Sequence, residues 1–255
     1  RTLTDDNGGA DWLNFVMLED GVRVSLIRDV ASFDGNTVTL GHKQFENVMG
    51  SQGKDILIGD SADNYFVGAD GNDLLNGGAG NDILDGGEGF DKIYGGDGFD
   101  LIYGGAGHDK IYGGDAGDKI YGGTGRDKIY GEIGRDGIFA GRGNDIISGG
   151  DGKDIIYGGK GDDRITGGGG YDKLTGGEGA DTFVFDLKDD TDIIFDFEAG
   201  LDILEFSGAM AATTEEAMTY ASLVDGDVVF DFGTVVVIVD GVTSMTGLVD
   251  DIHIA

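Results

Sequence analysis

The chain has 255 residues, 52 glycines, no proline, no cysteine, 39% hydrophobic residues and a formal net charge of -32. That charge argues against nucleic acid, whose phosphates need a basic surface, and against an anionic membrane surface; no apolar run approaches the ~18 residues of a membrane span. The absence of cysteine excludes a disulfide framework and a thiolate metal site, which leaves an acidic, glycine-rich chain able to form an elongated core.

Residues 1–49 alternate in a strand-like way. Segments 12–16 and 22–27 flank the turn signal Asp20-Gly21, and Asp34-Gly35-Asn36 precedes the strand candidate Thr37-Val38-Thr39-Leu40. Arg1 is not an initiator and no signal peptide opens the chain, so a piece of a longer protein is expected. The segment reads as an N-terminal β cap, with Trp12 and Phe15 as the candidates that cover the next element.

From Gly50 to Val184 fifteen nonapeptides follow without a gap, each written G-G-x-G-x-D-x-U-x with U a large apolar residue. Step six is Asp in fourteen of them and Asn64 in the other; step eight is always Leu, Ile or Phe. The glycines permit positive φ and inward carbonyls, and the three-residue strand x-U-x sends only U to one side. Two nonapeptides then make one coil of eighteen residues, with a thin core of U side chains between two opposed parallel sheets. The fold class is all-β, a parallel β-roll of nonapeptide repeats with β-rich caps. An open end of such a stack exposes apolar side chains and strand edges, which is why caps are required.

Turns on one edge belong to repeats n and n+2, roughly 4.8 Å apart. One edge stacks Asp73, Asp91, Asp109, Asp127, Asp145, Asp163 and Asp181, and the other Asp82, Asp100, Asp118, Asp136, Asp154 and Asp172; Asp55 opens the series. Two unit charges at about 5 Å repel by roughly 0.8 kcal/mol in water and about 3 kcal/mol at an effective dielectric of 20. A hard divalent cation reverses the sign, because it takes six to eight oxygens and the turns offer carboxylates and carbonyls; calcium suits them better than magnesium, which demands stricter geometry. All fourteen step-six aspartates are therefore candidate ligands, and metal binding is folding free energy. About one ion per stacked pair of turns gives roughly ten calcium ions. Asn64 with Ala62, Ala116, Glu132 and Ala140 break the pattern and are expected to bound weaker sites.

Residues 185–255 form a C-terminal cap. Strands are predicted at 193–197, 228–232 and 234–239, a helix over 209–223 with Thr213 and Glu216 at capping-box spacing, and a short helix near 245–249. Met218, Ala221 and Leu223 are the packing candidates of the longer helix.

The repeats, the exit Gly179-Ala180-Asp181-Thr182-Phe183-Val184-Phe185 and the later Asp192-Ile193-Ile194-Phe195-Asp196-Phe197 resemble the C-terminal RTX domain of serralysin-type metalloproteases and related type I secreted bacterial proteins. Gly8-Gly9-Ala10-Asp11-Trp12-Leu13 and Phe45-Glu46-Asn47-Val48-Met49-Gly50-Ser51 are similar to the leading cap of that family. The resemblance implies step-six side-chain ligands completed by glycine carbonyls, export through the type I secretion machinery, and folding on calcium outside the cell. Asp250-Asp251-Ile252-His253-Ile254-Ala255 would then belong to the secretion signal.

A second function is readable on the strands. Lys92, Lys110 and Lys128 should stack beside Tyr94, Tyr112 and Tyr130, and the facing sheet pairs Leu101 and Tyr103 with Lys119 and Tyr121. Eleven of the seventeen basic residues lie between Gly86 and Thr175. The functional alternative is an acidic-polysaccharide-binding or surface-attachment module on the same roll. The plainer reading is exterior sheet chemistry that offsets the aspartates, and the overall charge favours it. No enzyme is expected in this chain: every step-six Asp has a ligand explanation, no phosphate loop is present, and His42, His108 and His253 show no paired metal spacing.

Overall fold

A computed structural model describes residues 2–3, 12–28, 30–33, 36–40 and 46–255. The expected turn at Asp34-Gly35, His42, Phe45 and the cap residues Gly8 to Asp11 lie outside the described residues. The chain divides into two compact units, Arg1–Lys128 and Ile129–Ala255. Each is a parallel β-roll.

In the first unit, Ile56–Ile58, Leu74–Ala79, Lys92–Asp97 and Lys110–Asp115 lie side by side in one parallel sheet. Asn47–Met49, Tyr65–Asp70, Ile83–Glu88, Leu101–Ala106 and Lys119–Thr124 form the other. The register is one coil per rung, so Ile93 pairs with Ile111 and Ile102 with Ile120. Step-eight residues Leu57, Phe66, Leu75, Leu84, Ile93, Ile102, Ile111 and Ile120 are fully buried. Each such side chain contributes roughly 1.5–3 kcal/mol by leaving water.

From Tyr65 to Thr124 the strands are six residues long where three are expected, because the step-one and step-two residues, mostly glycine, also join the ladder, as Gly96 does with Gly114. Alternation turns the step-one glycine inward beside U. At Gly104 a Cβ would lie 2.5 Å from the Gly122 carbonyl oxygen and 2.9 Å from Asp109 Oδ2, so a larger residue there would part the coils.

At the leading end, Trp12–Asn14 pairs with Asn47–Met49, and Arg23–Ser25 pairs with Ile56–Ile58. The chain then reverses into an antiparallel ladder through Val30–Phe33 and Asn36–Leu40. Leu13, Val22, Val24 and Ala31 carry the buried face. Trp12, the expected cover, is 43% exposed and packs edge-on against Tyr65 at 4.9 Å. Strand alternation puts its neighbour Leu13 inside instead. Phe15 lies 5.6 Å from Phe33.

In the second unit, Ile146–Gly152, Arg164–Gly170, Thr182–Phe185, Ile203–Phe206 and Ile252–Ile254 form one sheet. Gly137–Arg142, Ile155–Lys160, Lys173–Glu178, Thr191–Ile194 and Val236–Val239 form the other, which ends in an antiparallel hairpin of Ala221–Val224 and Asp227–Asp231. Phe185, Phe206 and Phe230 plug this end, with Phe206 lying 5.7 Å and 5.2 Å from the other two rings. The helix is shorter than expected, Thr214–Thr219, capped by Thr213 Oγ1 accepting from the Glu216 N–H at 3.1 Å. The hairpin turn at Asp225 and Gly226, both at positive φ, takes 221–224 into the sheet. Ala217 is therefore the helix residue that packs, and Leu223 stays 51% exposed. The last helical turn is a 3-10 element, Leu248–Asp251.

Candidate metal centre

Each turn holds its step-six aspartate by two bonds. The main-chain carbonyl accepts from step seven of the coil eighteen residues on, as Asp73 does from the Lys92 N–H at 2.8 Å. The side-chain Oδ1 accepts from the step-six N–H of the coil eighteen residues back. In the first unit Asp55 N donates to Asp73 and Asp73 N to Asp91 at 2.7 Å, and Asp91 N to Asp109 and Asp109 N to Asp127 at 2.8 Å. On the other edge Asn64 donates to Asp82, Asp82 to Asp100 and Asp100 to Asp118. The second unit repeats this for Asp136 to Asp154, Asp154 to Asp172, Asp145 to Asp163 and Asp163 to Asp181, all at 2.8 Å.

These aspartates are all at most 3% exposed. In nine of them the second oxygen is stranded: Oδ2 of Asp73, Asp82, Asp91, Asp100, Asp109, Asp154, Asp163, Asp172 and Asp181 is buried without a hydrogen-bond partner. Oδ2 lies beside the step-one glycine of its own repeat, next to the step-one carbonyl two repeats later, as Asp109 Oδ2 does with Gly104 and the Gly122 carbonyl. A buried anion without a partner carries a desolvation penalty of several kcal/mol. Burial, with neighbouring carboxylates adding to it, pushes Asp73, Asp82, Asp109, Asp154 and Asp163 up to about 7, and Asp91 and Asp181 up to about 6.

The arrangement fits a hard cation. Among the described residues no three acidic or histidine groups converge on one point, so a cation held here takes most of its oxygens from main-chain carbonyls and only one or two from carboxylates. Calcium accepts such a set, where a metal that wants imidazole or thiolate would not. When bound, it supplies the fixed positive charge that these carboxylates lack.

Asp55 differs from the rest. Its Oδ1 accepts from the Val22 N–H at 2.6 Å and the Ser51 hydroxyl at 2.7 Å, and its Oδ2 from the Ser51 N–H at 2.6 Å, so both oxygens are satisfied. Two further aspartates outside the nonapeptides continue the ladder. Asp192 Oδ1 accepts from the Asp172 N–H at 3.0 Å and Asp202 Oδ1 from the Asp181 N–H at 2.9 Å, at spacings of 20 and 21 residues. Their signal is the fragment Asp192-Ile193-Ile194 and Asp202-Ile203-Leu204, which keeps D-x-U after the glycines are gone.

Of the irregular turns, Ala116 and Glu132 adopt φ of 82° and 77° where other repeats use glycine, as does Ala69 at 80°. Ala140 is fully buried and places a methyl group at step one. His108 stacks on Phe90 at 5.0 Å, its Nδ1 accepting from the Arg126 N–H at 2.7 Å; His253 is exposed.

The outer faces are in the expected register: Lys92 pairs with Lys110 and Tyr94 with Tyr112, whose rings stack at 4.9 Å. Lys92 and Lys110 place Nζ 4.9 Å and 5.1 Å from the centroids of Tyr94 and Tyr112, and Lys119 does the same over Tyr121. Lys128 and Tyr130 fall on either side of the division between the units. No helix among the described residues is long and apolar enough to cross a membrane.

A search of curated proteins finds no match. Among solved structures, the chain is similar to the extracellular lipase LipA from Serratia marcescens at 20% identity and a TM-score of 0.36, over 79% of this chain and 40% of the lipase. It thus spans well under half the length of that protein. The family model of the RTX calcium-binding nonapeptide repeat matches residues 49–84, 85–119, 112–147, 138–165, 148–183 and 157–192, more than half of the chain. With its repeats, its stacked coils and its stranded carboxylates in agreement, the chain belongs to the RTX calcium-binding nonapeptide repeat family, whose repeats bind Ca2+.

Proposed function

We propose that this chain is a calcium-driven folding module of a larger secreted bacterial protein, with a roll at 50–184 between caps at 1–49 and 185–255. It remains open in a calcium-poor cytoplasm, passes the type I secretion machinery unfolded, and closes outside the cell, where roughly ten ions enter the turns. Any catalytic activity of the parent lies in another domain. The observation that carries this reading is the row of buried Oδ2 atoms with no protein partner. A fold that strands its carboxylates needs a cation to close, and that couples its stability to external calcium. The ligands are the step-six aspartates from Asp73 to Asp181, with the glycine carbonyls beside them.

The test is a calcium titration followed by circular dichroism, with magnesium as control and chelator to reverse it. A cooperative gain of β signal with calcium alone is expected. Full β structure at neutral pH in chelator would overturn the reading.

A second reading, an acidic-polysaccharide strip on the Lys92, Tyr94, Lys110 and Tyr112 face, is favoured by the in-register stacking of these residues. It ranks second because each lysine already lies over its own tyrosine ring. Unchanged glycan binding after replacing Lys110 and Tyr112 with Ala would remove it.

A further inference from the structure

The outer face of the leading cap carries chemistry that the calcium reading does not use. Arg23–Ser25 pairs antiparallel with Val30–Phe33 on one side and parallel with Ile56–Ile58 on the other. Val24, Ala31 and Leu57 are buried in the core, so alternation turns Arg23, Ser25, Val30, Ile56 and Ile58 outward. The register sets Ser25 between Val30 and Ile58, a short side chain between two branched ones. That row is the floor of a hollow of about 470 Å³, which the turn after Ser25 walls with Ile27 and Arg28. Small-molecule sites are of this size, mostly apolar with a few polar groups.

Two features say what the hollow takes. Ile27 is 68% exposed and Val30, Ile56 and Ile58 are only half-buried, so aliphatic surface is left in water where a hydrocarbon chain would cover it. The chain has 49 acidic and 17 basic residues, yet among the described residues that line the hollow none is acidic and two are arginines. Neither Arg23 nor Arg28 forms an ion pair among the described residues. The net charge of -32 repels anions at long range, but salt screens charges beyond about 8 Å, so these two guanidinium groups set the sign at the hollow itself. A guanidinium fork donates paired hydrogen bonds to an oxyanion.

We propose that this hollow binds a single-chain anionic amphiphile, its aliphatic chain lying over Ser25 between Val30 and Ile58 and its oxyanion head held by Arg23 and Arg28. A bilayer offers the same heads but hides the chains, so the ligand is the free amphiphile and not a membrane surface. The inference stands apart from the calcium reading, since no step-six aspartate lines the hollow.

The experiment titrates decyl sulfate, below its micelle concentration, into the calcium-saturated full chain by calorimetry; a sulfate head is used because calcium would draw off a carboxylate. One saturable site is expected, with octyl sulfate roughly tenfold weaker, since each buried methylene is worth about fourfold. Arg23→Gln and Arg28→Gln should each weaken binding about tenfold, and Arg142→Gln in the second unit should bind as the parent does. Ser25→Leu fills the floor from outside the core and should abolish binding. Ile27→Asp, on the exposed turn, is the second variant should Ser25→Leu fail to fold by circular dichroism, and should abolish binding too. Equal affinity for octyl and decyl sulfate, or undiminished binding in the arginine variants or in the folded filling variant, overturns the site. Phosphatidylglycerol vesicles that retain the chain while decyl sulfate does not bind overturn it as well, in favour of a membrane surface.

Discussion

Asp55 and Asp91 occupy the same step of the same nonapeptide on the same edge of the first unit, and their surroundings make them different residues. Asp55 receives three donors, from Val22 and Ser51, and needs nothing more. Asp91 receives one, from the Asp73 N–H, and its Oδ2 is left bare. At step two of the first repeat Ser51 stands where most other repeats have glycine, and its hydroxyl and N–H, with the Val22 N–H, saturate Asp55. On the calcium reading, a step-six carboxylate would serve as a ligand only where the turn around it withholds hydrogen bonds.

The broadest way to sharpen the contrast is pH. A carboxyl group raised in the folded state binds its proton more tightly there, so its stabilising contribution is complete below the unfolded value of 3.8 and is lost as pH rises through about 7 for Asp73, Asp82, Asp109, Asp154 and Asp163. In chelator, β signal by circular dichroism should therefore grow as pH falls from about 7.5 to about 5. With calcium the dependence inverts, because protons compete with the metal and acid weakens binding.

Next in size, Asp91→Asn should have opposite signs in the two conditions. It removes a bare buried charge and so should raise the denaturation midpoint in chelator, yet lower it in calcium and reduce the number of ions held. Asp55→Ala should lower the unfolding free energy in both by about 1–3 kcal/mol, since it orphans buried donors, and should leave the calcium count unchanged. Equal behaviour of Asp55 and Asp91 variants in calcium titration would erase the distinction. A smaller effect is expected for Ser51→Ala, which removes only the hydroxyl bond, about 1 kcal/mol or slightly more by urea denaturation. Smallest, Glu132→Gly relieves a non-glycine at φ 77° and should stabilise by under about 1 kcal/mol, because glycine also loosens the unfolded chain.

Periodicity made most of the roll legible: the U core, the one-coil register and the stacking of the step-six aspartates along two edges all follow from nine-residue spacing. It hid three things. Strand length was hidden because inward glycines look like turn residues, although they pair, as Gly87 does with Gly105. Asp192 and Asp202 were hidden because their spacing departs from eighteen once loops replace glycine turns. The helix expected to reach Leu223 stops at Thr219 because Ala221–Val224 gains a partner strand in Asp227–Asp231, a tertiary gain that local propensity does not encode. Trp12 shows the converse: size suggested a cover, but alternation assigned that place to Leu13.

The N–H to Oδ1 bonds of the aspartate ladder all point one way. In every described pair the donor belongs to the earlier coil and the acceptor to the later one, from Asp55 with Asp73 to Asp181 with Asp202. Within each unit the stack therefore has the polarity of a growing polymer: whichever coil is last holds an unanswered donor, and a side-chain oxygen downstream is needed to answer it. Asp192 and Asp202 act as chain terminators in that sense, ending the addition of coils without supplying a new one. A roll cut after its last nonapeptide would keep its whole repeat array and still have a live end.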